Sequence, residues 1–482
     1  MGIPMQEMTT LEYGREEASQ RPLVELLRLA GPTIAQMASY TVMQFLDTWM
    51  LARANGIGAP TAAANSGILA FAVISLAMGV LWVVNTLVSQ AFGRKDYSRC
   101  GQFLWQGIWF AVAYSLLLLP FLPSVPGAFR MLGHDADMVR QESLYLQIVV
   151  TFSAVKLVGT AFGQFLLAID RAWCVMLATI AGVGVNAVAA WIFVFGKFGV
   201  HPMGVVGAAW AQNIGVGVET LVAIVFALEP SVRRKFNSVD WRFRWEQTKT
   251  LLRVGLPSGA QVVADVLAWG AFMNLVMAFF GVAGMAANNF VFRYMSVSFM
   301  PAFGISTAVT ALVGRYIGRK QPDVAVQRAH LGFKVAATYM LICAVFFVIW
   351  RNQLIGLFSN DPEVRRLGAT LLVFAAVYQL FDAMYIVYFG GLRGAGDTFV
   401  PAVATAVLCW SMTVLGGYLV ARHAPQLGPA GPWYVATAYG GILGIFMLVR
   451  FTRGGWRAIH LDQPAQADTV PNPNLNSVAI ES

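Results

Sequence analysis

Charge is what this sequence has least of. Only 12% of its 482 residues are Asp, Glu, Lys or Arg, against 57% hydrophobic residues and a mean hydropathy of +0.62, which excludes an ordinary soluble domain. Cysteine is equally scarce: Cys100, Cys174, Cys343 and Cys409 show no spacing suited to a metal and no pair placed for an extracytoplasmic disulfide. The five histidines (His134, His201, His330, His423 and His460) fall in predicted loops or near helix ends. With no nucleophile, base or metal set around them, an enzyme is not expected. A GxxxxGK[ST] loop is missing, so nothing points to ATP. Residues 1–20 carry four Glu and no apolar core behind a basic start, so no cleavable signal segment is expected.

What the chain has is long apolar runs. A helix needs about 20 mostly apolar residues to cross a bilayer. Twelve such stretches are predicted, at 23–50, 62–91, 103–123, 142–169, 173–196, 204–229, 250–280, 286–314, 331–350, 367–392, 399–421 and 432–450. The fold class that follows is an all-α polytopic membrane protein of twelve transmembrane helices. The net charge of +9 reads as topology and not as a nucleic-acid footprint. Most of the 33 basic residues cluster in the segments that share a side with the amino terminus, among them Arg94, Lys95, Arg233, Arg234, Lys235, Arg315, Arg319, Lys320, Arg328, Arg393 and Arg450. Positive-inside bias then puts both termini in the cytoplasm, with contact to anionic lipid headgroups as a secondary reading.

The chain is also written twice. At an offset of 225 residues PTIAQ (32–36) matches PSGAQ (257–261), Gly79 matches Gly304, and LVSQAFGRK (87–95) matches LVGRYIGRK (312–320). The expected organisation is a cytoplasmic tail (1–20), a first six-helix half (21–230), a linker (231–248), a second half (249–455) and a disordered cytoplasmic tail (456–482). Because six is even, the halves insert the same way round, as two pseudo-symmetric bundles, and such repeats commonly hold a substrate site between them. In the linker, Val239, Trp241, Phe243 and Trp245 alternate with polar residues, which suits a strand of chain lying along the headgroups. The repeated Gly-Arg-Lys at 93–95 and 318–320 reads as a helix stop followed by basic anchors. Asp170 and Asp397 recur in both halves and read as turn or capping residues.

Three acids break the repeat. Asp265 matches Tyr40 in the other half and Asp47 matches Phe272, while Asp382 matches Val155 at the 227-residue offset that aligns FGQFLLAID (162–170) with FGGLRGAGD (389–397), so duplicated architecture explains none of them. A charged Asp at a helix centre costs roughly 2.5–3.5 kcal/mol on insertion scales, so such residues ordinarily face a polar cavity. Asp265 lies 12 residues from Arg253 and Asp382 lies 11 from Arg393, or ~18 and ~16 Å deep at the helical rise. If they face one another, like charges share protons, a trap for a cation or a proton. Around them Gln261, Trp269 and Phe272, and Tyr378, Gln379, Tyr385 and Phe389, fall at helical spacing, and aromatic faces attract organic cations by about 0.5–2 kcal/mol. Packing is the plainer use for the aromatics. In the first half Asp47, Asn186 and Gln212 sit in outer helix regions. One carboxylate with amide oxygens suits Na⁺, and Asp47 alone suits a proton. Lys156, mid-membrane, is a candidate partner for a buried acid.

These residues resemble the multidrug and toxic compound extrusion (MATE) family, in its NorM-like branch, over residues 21–455. The matching marks are QFLDTWM (44–50), LVSQAFGRKD (87–96) and YQLFDAMYIVYFGGLRGAGDTFVP (378–401). The resemblance implies two V-arranged bundles, alternating access, and export of small cationic drugs and dyes in exchange for inward H⁺ or Na⁺. No cofactor is implied beyond that coupling ion. By position, Asp47 and Asp382 match the family's first- and tenth-helix acids. Asp265 matches the seventh-helix acid, which is Glu in most relatives. Gly182 stands where a second amide is common, and Gln212 where a small hydroxyl residue is. These departures favour H⁺. Under Na⁺ coupling the metal ligands would be Asp265 and Asp382, or Asp47 and Asn186. The expectation is a monomeric, multi-pass exporter of a bacterial inner membrane. The alternative weighed is a flippase for lipid-linked precursors from the wider superfamily.

Overall fold

Apolar runs without water must close their own backbone hydrogen bonds, and helix is the local way to do so. A computed structural model describes residues 22–55, 58–131, 133, 135–459 and 461, and among them there is no strand. The twelve spans are α1 (Pro22–Asn55), α2 (Gly58–Gly93), α3 (Tyr97–Leu118), α4 (Ala136–Thr151 with Ser153–Ala168), α5 (Ala172–Phe195) and α6 (Gly204–Ala227). The second half has α7 (Trp245–Ala271), α8 (Gly281–Gly318), α9 (Pro322–Ile349), α10 (Pro362–Ala395), α11 (Phe399–Leu408 continuing through Gly417–His423) and α12 (Ala430–Arg453). Nine segments are apolar and long enough unaided, although Trp245–Gly318 counts once and holds two spans. The bent α4 is a further one, and α1, which carries Glu25, Arg28, Asp47 and Arg53, completes the set.

Three spans are irregular where the sequence suggested plain helix. The two parts of α4 meet at 47° around Phe152. α7 ends in a π-helical turn, Phe272–Val276, and a 3-10 turn, Met277–Phe280, before Gly281 (φ 66°) reverses the chain. α11 carries a π segment at Cys409–Gly416.

The repeat is visible in the packing, contact by contact. A side chain on Gly79 would strike Gly259 Cα at 2.6 Å, and its mate Gly304 abuts Ile34, the mate of Gly259. Likewise Gly93 abuts the Arg315 carbonyl and Gly318 abuts the Gln90 carbonyl, positions related by the same offset. The Gly-Arg-Lys repeat therefore does more than stop a helix. Lys95 and Lys320 do end their helices in the left-handed conformation, but the glycines are where the two halves touch.

Contact between the halves runs from mid-helix to the end that carries the described termini and most basic residues. There every residue is buried over 83–91, 304–316 and 386–398. Thr86 Oγ1 donates to the Arg393 carbonyl at 2.9 Å, and Gln90 Nε2 to the Gly394 carbonyl at 3.0 Å. Toward the opposite end α1 exposes Val42 and Phe45 and α8 exposes Val297. The molecule is shut at its basic end.

Three arginines of the basic set lie inside that seam. Arg315, Arg328 and Arg393 are buried, because each finds a partner at the seam. Arg328 Nε donates to Glu25 Oε2 at 2.7 Å, and the Tyr316 hydroxyl donates to the same carboxylate at 2.8 Å. Arg315 pairs with Asp170 across the halves at 3.4 Å. Arg393 stacks between the rings of Trp82 and Phe389, 5.5 and 5.4 Å away. Asp170 and Asp397 are thus ion-pair partners and not simple caps: Asp397 holds Arg450 through two bonds of 2.8 and 2.9 Å. Removing one member of a buried pair costs ~3–5 kcal/mol, so Glu25→Ala should lower the melting temperature of the purified protein by several degrees. An unchanged melting curve would show the latch adds no stability.

The linker forms a helix, Pro230–Phe236, then an extended stretch exposing Trp241 and Phe243, which leads into exposed Trp245 at the start of α7. Trp105 and Trp109 of α3 donate to its carbonyls at Ser238 and Trp241. Trp456, assigned above to a disordered tail, is buried and donates to the Phe451 carbonyl at 2.8 Å, because its ring stacks on Phe451. The tail 1–20, the stretch after 461, and His134 and His460 lie outside the described residues. His330 is not at a helix end: it sits two turns into α9, with Nδ1 2.7 Å from the Tyr388 hydroxyl.

Candidate functional site

The acids singled out from the sequence lie in two polar groups within the apolar bundle, one in each half. In the second half, α7 and α10 bring their acids together. Tyr385, one turn beyond Asp382 on α10, donates its hydroxyl to Asp265 Oδ2 at 3.0 Å and accepts from Gln261 Nε2 at 2.8 Å. Gln261 and Asp265 are one turn apart on α7, so a single tyrosine can bridge both. Asp382 is buried and within Coulombic range of Asp265. From α11 and α12, Cys409 and Tyr439 flank the same carboxylate; neither was singled out from sequence. Asp265 Oδ1, Gln261 Oε1 and both amide atoms of Gln379 are buried without a hydrogen bond. An orphaned buried polar atom costs about 1–3 kcal/mol, so this group has capacity for a cationic or protonated occupant.

The aromatics divide. Trp269 packs edge-on against Phe272, Phe292 and Tyr378 at 5.6, 5.3 and 5.8 Å. Phe272, Tyr378 and Phe389 are buried. These rings form the wall behind the acids, while Tyr385 reaches the carboxylate itself.

In the first half, Asp47 (α1), Asn186 (α5) and Gln212 (α6) converge through a residue absent from the sequence reading. Tyr145 of α4 donates to Gln212 Oε1 at 2.7 Å and lies within Coulombic range of Asp47. Asn186 lies against Asp47, yet both its amide atoms and Asp47 Oδ1 complete no hydrogen bond. The position of Gly182, where a second amide was looked for, is filled by close packing instead: a Cβ there would meet Glu219 Cβ at 2.8 Å and the Gly215 carbonyl at 2.7 Å. Glu219 of α6 is a further acid within the spans, overlooked although it interrupts an apolar run as Asp265 does. It was legible as the lone carboxylate of the apolar run 204–227.

The MatE family model matches residues 32–192 and 262–419, one stretch in each half. A probable multidrug resistance protein NorM of Mesorhizobium japonicum is 27% identical over 442 residues, covering 89% of this chain and 93% of that protein. A protein of the same description from Bacillus subtilis is 25% identical over 433 residues, covering 89% and 95%. In fold, the chain is similar to a transporter of the MOP superfamily from Pyrococcus furiosus described as having a binding pocket of reverse polarity. Its TM-score is 0.81 at 21% identity, over 90% of this chain and 95% of that one. It is also similar to a multidrug resistance MATE family transporter in an outward-facing conformation, with TM-score 0.80 at 20% identity over 90% and 96%. With two matched stretches that together span well over half its length, the chain belongs to the MatE family, whose members are membrane transporters and not enzymes.

Proposed function

We propose that the protein is a secondary-active exporter of cationic, amphipathic compounds, driven by inward movement of an ion. The observation that carries this is the acid pair within the bundle, buried Asp382 and half-buried Asp265, with orphaned polar atoms beside it, in a bundle shut at one end. The relatives named as multidrug resistance proteins support the cargo class. The basic, closed end is the cytoplasmic one on charge grounds, so the conformation described is outward-facing, and the membrane is the inner membrane of a bacterium. A cation entering from the cytoplasm neutralises the acids in one state, and an ion from outside replaces it in the other.

The coupling ion is H⁺. Gly182 withholds the amide that would complete a metal site beside Asp47 and Asn186, and close packing against Glu219 and Gly215 leaves no room for one there. A flippase for lipid-linked precursors would gather basic side chains around one cavity, whereas Lys156 and Arg393 lie in different halves and Arg393 is stacked between rings. The test is ethidium or norfloxacin transport in proteoliposomes with one gradient imposed at a time. We expect export driven by ΔpH and none by ΔpNa. Drive by sodium alone would overturn the assignment of the ion, and no transport under either gradient would overturn the function.

A further inference from the structure

The linker between the halves is held in a shape that merely joining them does not require: it runs along α3 and doubles back. Trp105 and Trp109 bond its carbonyls at Ser238 and Trp241, so this stretch advances from the basic end toward the membrane interior. Gln106, wholly buried, fixes the return. Its Nε2 donates to the Arg242 carbonyl at 3.1 Å, and the Arg244 N–H donates to its Oε1 at 3.0 Å. Gln247 Nε2 then reaches Gln102 Oε1 at 3.3 Å, back toward the basic end. Gln102, Trp105, Gln106 and Trp109 share one face of α3, and together they pin a loop whose apex is Trp241 and Arg242.

With the loop's backbone turned to α3, its rings are left outside. Trp241 and Phe243 are exposed, and Phe243 lies 6.4 Å from exposed Trp245. Two helices fix the level of these rings. Trp109 heads a stripe of exposed residues on α3 that continues through Ala113 and Leu116. On α7, Lys249 and Arg253 head another that continues through Leu256, Ala260 and Leu267. Both stripes keep to one helix face, and below their heads they are apolar, as lipid-facing surfaces are. The loop therefore stands where headgroups meet acyl chains, the level at which tryptophan is enriched.

Charge at this level has one sign. Over residues 230–253 seven basic side chains stand against two acidic ones. Arg244 is engaged by Asp240 at 2.6 Å, and Lys235 lies over the rings of Tyr97 and Phe236. Arg242, Lys249 and Arg253 are exposed and make no ion pair among the described residues. A soluble anion would satisfy the charges and leave the rings in water. An anion carrying apolar chains satisfies both.

We propose that the linker loop is a docking site for an anionic phospholipid of the leaflet on the basic side. Arg242, Lys249 and Arg253 take its phosphate, and Trp241, Phe243 and Trp245 lie against the start of its acyl chains. A lipid held there touches both halves, since α3 pins the loop while Lys249 and Arg253 belong to α7. Cargo and coupling ion play no part in this site, so it stands or falls apart from the exporter reading.

The test is thermal unfolding of the purified full-length chain in neutral detergent, titrated with phosphatidylglycerol, phosphatidylcholine or inorganic phosphate. A ligand that binds only the folded protein raises its melting temperature with concentration. Phosphatidylglycerol should act at concentrations at least tenfold below phosphatidylcholine, and inorganic phosphate should not act. Each basic residue near an anionic surface contributes about fivefold to binding. Arg242→Gln, Lys249→Gln and Arg253→Gln combined should therefore need at least tenfold more phosphatidylglycerol. Trp241→Ser with Phe243→Ser should weaken the response to both lipids. Arg242→Lys with Arg253→Lys should respond as wild type, which shows that charge and not folding is being read. So should Lys320→Gln with Arg453→Gln, which removes two exposed charges of the same end away from the loop. An undiminished response in the triple charge variant would overturn the proposal. An equal loss in the Lys320 and Arg453 variant would do the same, as would a wild type indifferent to lipid charge. A matching shift with inorganic phosphate would also overturn it, by showing an anion site that needs no lipid.

Discussion

Asp382→Asn is expected to abolish most export of ethidium while leaving the protein folded in the membrane. The amide has nearly the shape of the carboxylate but cannot ionise, so packing against its neighbours survives and charge alone is lost. Asp382 and Asp265 share one neighbourhood, and taking one away halves the negative charge available to a cation there. We expect at least a ~10-fold loss of transport, equivalent to about 1.4 kcal/mol. The measurement is dye accumulation in efflux-deficient cells, normalised to the amount of variant in the membrane. Asp265→Asn should act alike, and Tyr385→Phe more mildly, since it removes the bridge between Gln261 and Asp265 but no charge. Export undiminished in Asp382→Asn would refute the assigned role.

The second large effect is expected at the seam and not at the acids. A Cβ on Gly93 would lie 2.1 Å from the Arg315 carbonyl oxygen, a contact that backbone cannot yield without moving the halves apart. Gly93→Val should therefore penalise the basic-end-closed state while leaving each half intact. Overpacking typically costs ~1–3 kcal/mol. Set against two states separated by a few kcal/mol, that shifts populations by roughly 5- to 150-fold. The readout is labelling of Thr86→Cys by a thiol reagent in a background lacking Cys343. Cys100, Cys174 and Cys409 are buried and supply little background. Thr86 is wholly buried at the seam, so the introduced thiol should be silent in an otherwise wild-type protein and reactive with Gly93→Val. Continued protection would mean the seam accommodates the valine and does not control opening.

The acids themselves were legible because carboxylates in long apolar runs stand out by cost, and because the repeat marked them as unmatched. Their surroundings were legible only in part. Tyr385 and Gln261 lie one turn from the acids on their own helices, so spacing found them. Tyr145, Cys409 and Tyr439 come from other helices and bear no such mark. Trp269 and Tyr378 pack edge-on against each other, the plainer use that helical spacing allowed, since spacing gives a face and not what the face meets. The burial of three arginines at the basic end was not legible for a related reason. A basic residue near a helix end is ordinarily solvated, but at a seam between duplicated halves Arg328 finds Glu25 from 303 positions away.

By itself the order of residues determined that the chain spans a membrane twelve times, in two like-oriented copies of one bundle, with unpaired acids inside. Hydropathy, charge bias and repetition are local or additive along the chain, so they survive without coordinates. Which end is shut, which arginines are buried, and that the linker doubles back along α3 were decided only by the packing of helices far apart in sequence. Those contacts depend on how facing surfaces fit, glycine against carbonyl and hydroxyl against carboxylate, and fit is a property of pairs of surfaces that no single helix carries.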